Sequence, residues 1–516
     1  MKKDFLEKSS LAAVICIGPD LIKMRVCCLK NRKIVDLDVL ELPINLGHEI
    51  FNNKKISFEC IKSISKALRG YLNILKEYEI TNYKVIAPAF FLEAENSDYV
   101  IDQLKIHNDI ILEVLEDSQE KSLIFYEILS KLLKGKCNDK YKLAVYTSAN
   151  SVGVTVFYKE SVIFSQNVKI GSLKLYDLLG KIQDETNEFP TVLEEYLERI
   201  IGRINIPFEK LKIDELIISG SQVDFLKKFC QKEDSKNNEI DKVKFYDFYE
   251  KIKNMPYKSI SEKYNMFLSS AELLFINFAI YKKILNFAPK ANIFTSNVQL
   301  FDAVIPKLLI SKEKSNYNNH LKESAIDCSK IISEHYYCDL KHRDETLNFS
   351  TLIFDKMEKF HKLGDKKILL EIAVILHEVG YYTNSKDPRK STFDIIKNLE
   401  IYGLKREEIN MIAIIAKYDE LTVPNVYDKE FEKLSKKDKL IVSKLIAIFR
   451  IANALDKAKK QKIKSLKIKL LNEKILFTGE TDENFYLEKW AFDKCSPFFE
   501  EVFGVKPQLV FKTLLF

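Results

Sequence analysis

The sequence predicts an internally duplicated α/β fold, followed by a helical region and a small α+β tail. Two successive segments each begin with three strands joined by tight turns and continue with alternating helices and strands. Beyond them, apolar residues recur with helical spacing, and residues 463–516 return to a mixed pattern. With 516 residues, of which 46% are hydrophobic and 30% charged, the chain is long enough for several globular domains.

The individual elements follow from apolar runs, alternation and helical periodicity. In the first segment we expect strands over residues 11–17, 21–29, 33–40, 83–87 and 110–115, and helices over residues 56–78 and 118–133. In the second segment we expect strands over residues 143–146, 152–158, 161–166 and 215–219, and helices over residues 172–179, 192–203 and 222–229. The tail should contain strands over residues 463–470, 474–478 and 508–512 and a helix over residues 488–503.

The polar stretch at residues 312–322 is predicted to be a linker. The expected domains are residues 1–130 and 131–311 for the two α/β halves, 323–462 for the helical domain and 463–516 for the tail. In a duplicated fold of this kind, the natural ligand site is the cleft where loops of both halves meet.

Composition excludes several classes of protein. The 81 Lys and Arg against 74 Asp and Glu give a net charge of +7, a mild bias that favours an anionic partner but not specific nucleic-acid binding. The 9 cysteines are scattered without CxxC spacing, which indicates neither a disulfide framework nor a zinc knuckle. Residues 1–10 lack the apolar core of a signal peptide, and no apolar run reaches the roughly 20 residues that span a bilayer. We therefore expect a cytoplasmic protein without a membrane partner.

Three turns are predicted to line the cleft. Gly18 lies in the first turn, Ser148 and Ser151 lie in the second, and Gly220 and Ser221 lie in the third. Glycine lets backbone N–H groups approach phosphate oxygens closely, and the third turn precedes a helix whose N-terminus favours an anion. On spacing alone, ordinary connecting turns are the alternative.

Eight stretches, in order along nearly the whole chain, resemble motifs of the exopolyphosphatase/guanosine pentaphosphate phosphohydrolase family. They are residues 14–23 (VICIGPDLIK), 45–49 (NLGHE), 88–96 (PAFFLEAEN), 116–123 (EDSQEKSL), 146–153 (YTSANSVG), 170–175 (IGSLKL), 372–381 (IAVILHEVGY) and 449–456 (FRIANALD). The ordered set, and no single motif, carries the resemblance. It implies that the α/β halves have the actin-like ATPase (ribonuclease H-like) fold and that the helical region is an HD-like domain.

The resemblance also implies an activity, namely hydrolysis of the terminal phosphate of polyphosphate or of a guanosine polyphosphate nucleotide, with Mg²⁺ as cofactor if the chain is active. Glu120 takes the position of the family's catalytic glutamate; its alternative role is a first-turn glutamate favoured by the helix dipole. The candidate phosphate-binding residues are Gly18, Lys23 (which replaces an arginine), Ser148, Ser151, Gly220 and Ser221. A homodimer is a further, open expectation.

Departures from the family pattern predict weak or lost activity. Cys16 and Tyr146 stand where the family has acidic residues expected near Mg²⁺. Leu92 replaces an arginine expected to hold phosphate, and Gly153 replaces the glutamate that ends the second loop. The competing hypothesis is a non-catalytic scaffold, or an anion- or nucleotide-binding regulatory protein, of the same fold. An actin-like kinase or ATPase is disfavoured, because it also needs the two acidic residues.

The HD-like domain shows a similar loss of expected ligands. His342, His377 and Glu378 match the first three metal-ligand positions, whereas Asp419 and Asn453 occupy the later ones. We therefore expect His342 and His377 to lie close together in a vestigial metal site. A buried, hydrogen-bonded His377 is the alternative to a metal ligand.

Overall fold

The computed structural model describes residues 11–513 except for residues 32, 133–138, 187, 205–211, 234–237, 384–385, 420, 425–427 and 472–473. Predictions that concern residues 1–10, residue 133 and Cys137 fall outside the described residues. The chain divides into two compact units, Met1–Leu321 and Lys322–Phe516. In the described ranges, no helix combines the length and the apolar character needed to cross a bilayer.

The first α/β half is built around a five-stranded sheet. Its elements are β1 (Leu11–Ile17), β2 (Leu21–Lys30), β3 (Lys33–Pro43), α1 (Leu46–Asn53), α2 (Phe58–Glu77), β4 (Tyr83–Ala87), α3 (Ser97–Asn108), β5 (Leu112–Val114) and α4 (Asp117–Leu132). The strand order is β3-β2-β1-β4-β5, with β1 to β3 antiparallel and β4 and β5 parallel to β1. Apolar residues of these strands, including Ile15 and Met24, form one core with Ile64 and Leu68 of α2.

The second half repeats this arrangement. Its elements are β6 (Tyr141–Thr147), β7 (Val152–Tyr158), β8 (Ser161–Val168), α5 (Ser172–Glu185), α6 (Phe189–Ile201), β9 (Ile213–Gly220), α7 (Val223–Cys230), β10 (Glu239–Ile240), α8 (Lys242–Lys253), α9 (Tyr257–Tyr264), α10 (Leu268–Leu285), β11 (Asn292–Ser296) and α11 (Leu300–Leu309). The strand order is β10-β11-β9-β6-β7-β8, so β8-β7-β6-β9-β11 matches the five strands of the first half. The predicted duplication is therefore confirmed.

The predicted linker at residues 312–322 is wrong, because these residues lie within a helix, α12 (Ser311–His335). Two side chains of this polar stretch pack against Tyr126 of α4. The ring centroids of Tyr317 and His320 lie 5.4 and 5.2 Å from that of Tyr126. The Tyr317 hydroxyl also lies 3.0 Å from the Ser122 hydroxyl. Aromatic contacts, and not apolar periodicity, thus place the polar start of this helix against α4 within the first unit.

The second unit is a helical bundle with a small sheet. Its elements are α13 (Leu340–Lys356), α14 (Glu358–His361), α15 (Lys367–Leu376), α16 (Pro388–Lys397), α17 (Arg406–Ala416), α18 (Lys429–Glu432), α19 (Lys436–Ala454), β12 (Ser465–Leu470), β13 (Lys474–Thr481), α20 (Tyr486–Phe503) and β14 (Lys506–Thr513). Strand β13 pairs with both β12 and β14. Ile375 and Phe449 of the helices share one core with Phe477 and Phe492 of the tail. Because both stretches contribute to this core, the boundary at residues 462/463 stays a prediction.

Candidate functional site

Loops from both α/β halves of the first unit enclose a cavity of about 160 Å³. The three turns predicted to face one cleft all contribute to its wall: Pro19 and Asp20 from the first, Ser148 from the second and Ser221 from the third. Glu120 also lines the cavity, so the fold brings the candidate catalytic residue to the predicted turns.

One backbone amide in each of the three turns already has an acceptor. The bonds join Gly18 N–H to the Leu21 carbonyl (2.9 Å), Ser148 N–H to the Ser151 carbonyl (2.9 Å) and Ser221 N–H to the Thr147 carbonyl (2.8 Å). Donors that are engaged in this way are not the open anion-binding amides that a phosphate loop requires. Gly220 has a φ of 103°, and a Cβ there would overlap the Thr147 carbonyl oxygen, so this glycine is required by close packing at the turn.

Glu120 is buried near the start of α4, where two neutral groups donate hydrogen bonds to its carboxylate. The Ala89 N–H lies 3.1 Å from Glu120 Oε2, and the Tyr146 hydroxyl is the second donor. Burial raises the pKa of Glu120; the Asp117 carboxylate adds to this rise, while Lys121 and the two donors oppose it. The Glu120 carboxylate on the cavity wall thus already accepts hydrogen bonds from groups of the protein.

Cys16 and Tyr146 flank this carboxylate without adding negative charge. Burial, together with Glu120, raises the pKa of Cys16 to about 12. Burial and the same carboxylate raise the pKa of Tyr146 well above its usual value. Mg²⁺ prefers carboxylate and water oxygens, and of these three side chains only Glu120 offers a carboxylate. These three side chains therefore do not form a ligand set that fits Mg²⁺.

Ser151 belongs to a buried ionic cluster with two residues of α4. Lys121 Nζ lies 2.7 Å from Asp117 Oδ1 and 2.5 Å from Ser151 Oγ, and the Ser151 hydroxyl donates to Asp117 Oδ1 at 2.6 Å. The Lys121 side chain is only 2% exposed. Burial alone would raise the pKa of Asp117, but Lys121 and Ser151 outweigh it and hold the pKa below its ordinary value. The Ser151 hydroxyl is therefore already hydrogen-bonded to both members of this ion pair.

The replacement of the family's loop-ending glutamate by Gly153 has a steric explanation. A Cβ at residue 153 would overlap Cδ of the Lys121 side chain, so the glycine leaves space for the lysine stem. The sequence pattern did not predict this cluster. Its only signal is the i,i+4 order of an acid before a base, which is common on helix surfaces.

The candidate Lys23 and the position at which an arginine was expected both lie elsewhere. Lys23 does not line the cavity; its ammonium lies 2.8 Å from Glu41 of β3 and over the ring of Phe301. Leu92, at the expected arginine position, is 44% exposed in a short 3₁₀ turn. Neither residue places a cation in the cavity.

In the second unit, His342, His377 and Glu378 converge on a separate cavity of about 60 Å³. One ligand atom from each lies within 4.8 Å of the others, and the two imidazole centroids are 5.3 Å apart. Asp419 and Asn453, at the later ligand positions, also line this cavity. The sequence-predicted residues are therefore brought together.

Protein groups already satisfy most of these metal-ligand atoms. The Glu378 carboxylate forms an ion pair with the Lys459 ammonium and accepts the Asp339 N–H at 3.2 Å. Burial opposes the charge of Glu378, but His377 and Lys459 lower its pKa below the ordinary value. The Lys459 ammonium thus already neutralises the one carboxylate of this ligand set, so the set does not fit a divalent metal.

The two histidines differ in what they contact. His342 Nδ1 lies 2.9 Å from Asp456 Oδ2, and its Nε2 faces the Asn453 amide oxygen at 3.0 Å. His377 Nδ1 donates to the Val374 carbonyl at 2.6 Å, whereas its buried Nε2 has no hydrogen-bond partner among the described residues. Burial lowers the pKa of His377 to about 4, so the ring is neutral at physiological pH.

Comparison with known proteins agrees with the sequence analysis. Residues 328–492 match the family model described as Ppx/GppA phosphatase, domain III. A Ppx/GppA family member of Aquifex aeolicus has a similar structure, with a TM-score of 0.50 and 16% identity, covering 58% of this chain and 98% of the other. An exopolyphosphatase from Cytophaga hutchinsonii gives the same four values. The comparison with curated proteins gives no match. At this identity the solved structures show the fold, and the predicted resemblance and fold class are confirmed.

Proposed function

We propose that this chain, a divergent relative of the Ppx/GppA phosphatases, is a scaffold or regulatory protein with weak or no phosphatase activity. One observation carries the proposal. The cavity of the first unit is lined by two carboxyl-bearing residues, Asp20 and Glu120, and by no lysine or arginine among the described residues.

The charge of the cavity opposes the implied reaction. Phosphoryl transfer depends mainly on cations or open N–H groups that neutralise the phosphate oxygens. Here Lys121 is paired with Asp117 and Ser151, and Lys23 is paired with Glu41. A polyphosphate end would instead meet carboxyl groups, so an intact base alone should give little turnover.

The second candidate is an active hydrolase of polyphosphate or of a guanosine polyphosphate nucleotide, and one observation favours it. Glu120 lines the cavity, and burial raises its pKa towards the range in which a carboxyl group acts as general acid or base near neutral pH. Mg²⁺ belongs to this candidate, although the donors beside Glu120 do not fit it.

The test is phosphate release from long-chain polyphosphate and from guanosine tetraphosphate with Mg²⁺ or Mn²⁺. Wild type, Glu120→Gln and the control Glu127→Gln, a glutamate on the same helix outside the cavity wall, are compared. We expect all three to remain at the uncatalysed background. Robust wild-type turnover that falls by roughly 10²–10⁴ in Glu120→Gln but not in the control would establish the hydrolase instead.

A further inference from the structure

The cavity of the second unit has a positive lining. Its charged side chains are the cations Arg389, Lys417, Lys457 and Lys459 and the carboxylates Glu378 and Asp419, a net charge of +2 with histidine neutral. At about 60 Å³ it exceeds the roughly 10–15 Å³ that one water molecule needs. The space is therefore sufficient for a small anion and has the matching sign of charge.

The carboxylates of the lining are engaged within the protein. Glu378 pairs with Lys459, and Asp419 accepts the Thr422 hydroxyl at 2.8 Å and the Leu421 N–H at 3.0 Å. Among the cations, Lys417 has a close counter-ion outside the lining, Asp428, at 2.6 Å.

Arg389 is held more loosely than Lys417. Its side chain is 45% exposed, and the carboxylate of Asp419, its ion-pair partner, lies 3.6 Å from its guanidinium. A planar guanidinium has five N–H donors, so this contact leaves donors for a ligand.

His377 gives the cavity a hydrogen-bond acceptor of defined direction. Its Nδ1 faces the Val374 carbonyl, which can only accept, so the ring proton lies on Nδ1 and the lone pair lies on Nε2. That Nε2 is buried and has no partner in the described part of the chain. An unsatisfied buried acceptor is costly unless a ligand donates to it.

We propose that this cavity binds a phosphate group in its monohydrogen form. The P–O–H group donates to His377 Nε2, and the remaining oxygens face Arg389, Lys457 and Lys459. The phosphate can be free inorganic phosphate or the terminal group of a polyphosphate or nucleotide. This binding goes beyond the proposed function, because it involves another unit of the chain and requires no hydrolysis.

The proposal predicts selectivity between two anions of the same shape and charge. Sulfate is fully deprotonated at neutral pH and cannot donate to His377 Nε2. A site built to hydrogen-bond an O–H group rejects an analogue that lacks it, because a buried polar atom is then left unpaired. We expect phosphate to bind at least about tenfold more tightly than sulfate.

The experiment is calorimetric titration of the full chain at pH 7 with inorganic phosphate and with sulfate. His377→Ala should reduce phosphate binding to the level of sulfate. Arg389→Met, at a half-exposed position outside the core, should weaken the binding of both anions by about tenfold. Lys460→Met, an exposed lysine outside the lining, is the matched control and should bind as wild type does.

Further arms identify the source of the phosphate and exclude other sites. Tighter binding of pyrophosphate or guanosine diphosphate than of inorganic phosphate would support the proposal and assign a terminal phosphate group; equal or weaker binding would support it and assign the free ion. Glu120→Gln should leave phosphate binding unchanged, whatever its effect on hydrolysis. Equal affinity for phosphate and sulfate, indifference to both His377→Ala and Arg389→Met, or loss of binding in Glu120→Gln would overturn the proposal. The proposal would also be overturned if the wild-type protein held one Zn²⁺ or Mn²⁺ per chain and the His377→Ala variant did not.

Discussion

The two cavities differ in how the protein satisfies the groups that a metal ion or phosphate would otherwise contact. In the first unit, the Glu120 carboxylate accepts hydrogen bonds from the neutral Tyr146 hydroxyl and the Ala89 N–H. In the second, the Glu378 carboxylate is paired with the Lys459 ammonium. Among the described residues, the first cavity is therefore lined by carboxyl groups and no lysine or arginine, whereas the second is lined by an excess of cations.

This difference shows that two sites lacking the expected metal ligands can differ in the charge that lines them. Neutral residues such as Cys16 and Tyr146, at positions expected to hold metal ligands, supply no cation, so no group there neutralises the charge of an anionic substrate. A lysine that pairs with the carboxylate of a candidate metal-ligand set supplies a positive charge, which favours an anion at this position. The fate of each site depends on the charge of the replacing group.

The largest effect on stability is expected from breaking the ion pair beside the first cavity. Asp117→Ala leaves the Lys121 ammonium buried without its counter-ion and should lower the free energy of unfolding by about 3–5 kcal/mol. Urea denaturation followed by circular dichroism measures this loss. The exposed Asp102→Ala is the control and should change stability by less than about 0.5 kcal/mol.

A double variant sharpens this prediction. Asp117→Ala combined with Lys121→Met removes both charges, so it should recover most of the loss. If the double variant is as unstable as Asp117→Ala alone, the pairing of these two charges is not what stabilises this region.

A second prediction concerns metal binding in the second cavity. Lys459→Ala removes the ammonium from Glu378 and should raise the affinity for Zn²⁺ by at least about tenfold, because the carboxylate and His377 Nε2 then become available together. Equilibrium dialysis with zinc quantification measures this gain. The exposed Lys460→Ala should show no change. A wild-type protein that already holds one Zn²⁺ per chain would contradict the claim that the Lys459 ammonium keeps Glu378 from binding a metal ion.

The smallest effect is expected in the pH dependence of stability, where the two glutamates should act with opposite signs. The pKa of Glu120 is raised from its ordinary 4.5, so this residue makes the fold less stable as pH rises from about 4.5 through its folded value. The pKa of Glu378 is lowered, so its contribution is present above 4.5 and is lost as pH falls below that value.

Substitution by glutamine separates the two contributions. Relative to wild type, Glu120→Gln should gain stability as pH increases above 4.5. The stability deficit of Glu378→Gln should be constant above 4.5 and should shrink as pH falls below that value. Unfolding free energies measured between pH 3 and pH 8 give both curves. Parallel curves for the two variants would show that the carboxylates do not differ as described.

Much of the fold could be predicted because its strands have clear apolar signatures. Strand β4 has the predicted bounds, and the three turns lie at one cavity because both halves repeat the same strand order. The first part of helix α12, residues 312–322, was not predicted because its composition is polar. There Tyr317 and His320 contact Tyr126, and two such side chains are too few to produce an apolar period.

The candidate sites were only partly predictable for a related reason. The sequence predicted Glu120 as the candidate catalytic residue and His342 and His377 as neighbours in a vestigial metal site, but it did not predict the groups that pair with the carboxylates of these sites. Lys459 reaches Glu378 from 81 residues further along the chain, and no local pattern encodes that contact. Long-range pairs of this kind decide the chemistry of both cavities.

The most direct measurement is Mg²⁺-dependent phosphate release from long-chain polyphosphate by wild type and by the double variant Cys16→Asp/Tyr146→Asp. Restoring two carboxylates beside Glu120 should create a Mg²⁺ site and raise turnover at least about tenfold, only when Mg²⁺ is present. Cys16→Ser/Tyr146→Phe is the uncharged control and should stay at the wild-type background. Robust Mg²⁺-dependent turnover by wild type, abolished by Glu120→Gln, would contradict the loss of charge neutralisation in the first cavity.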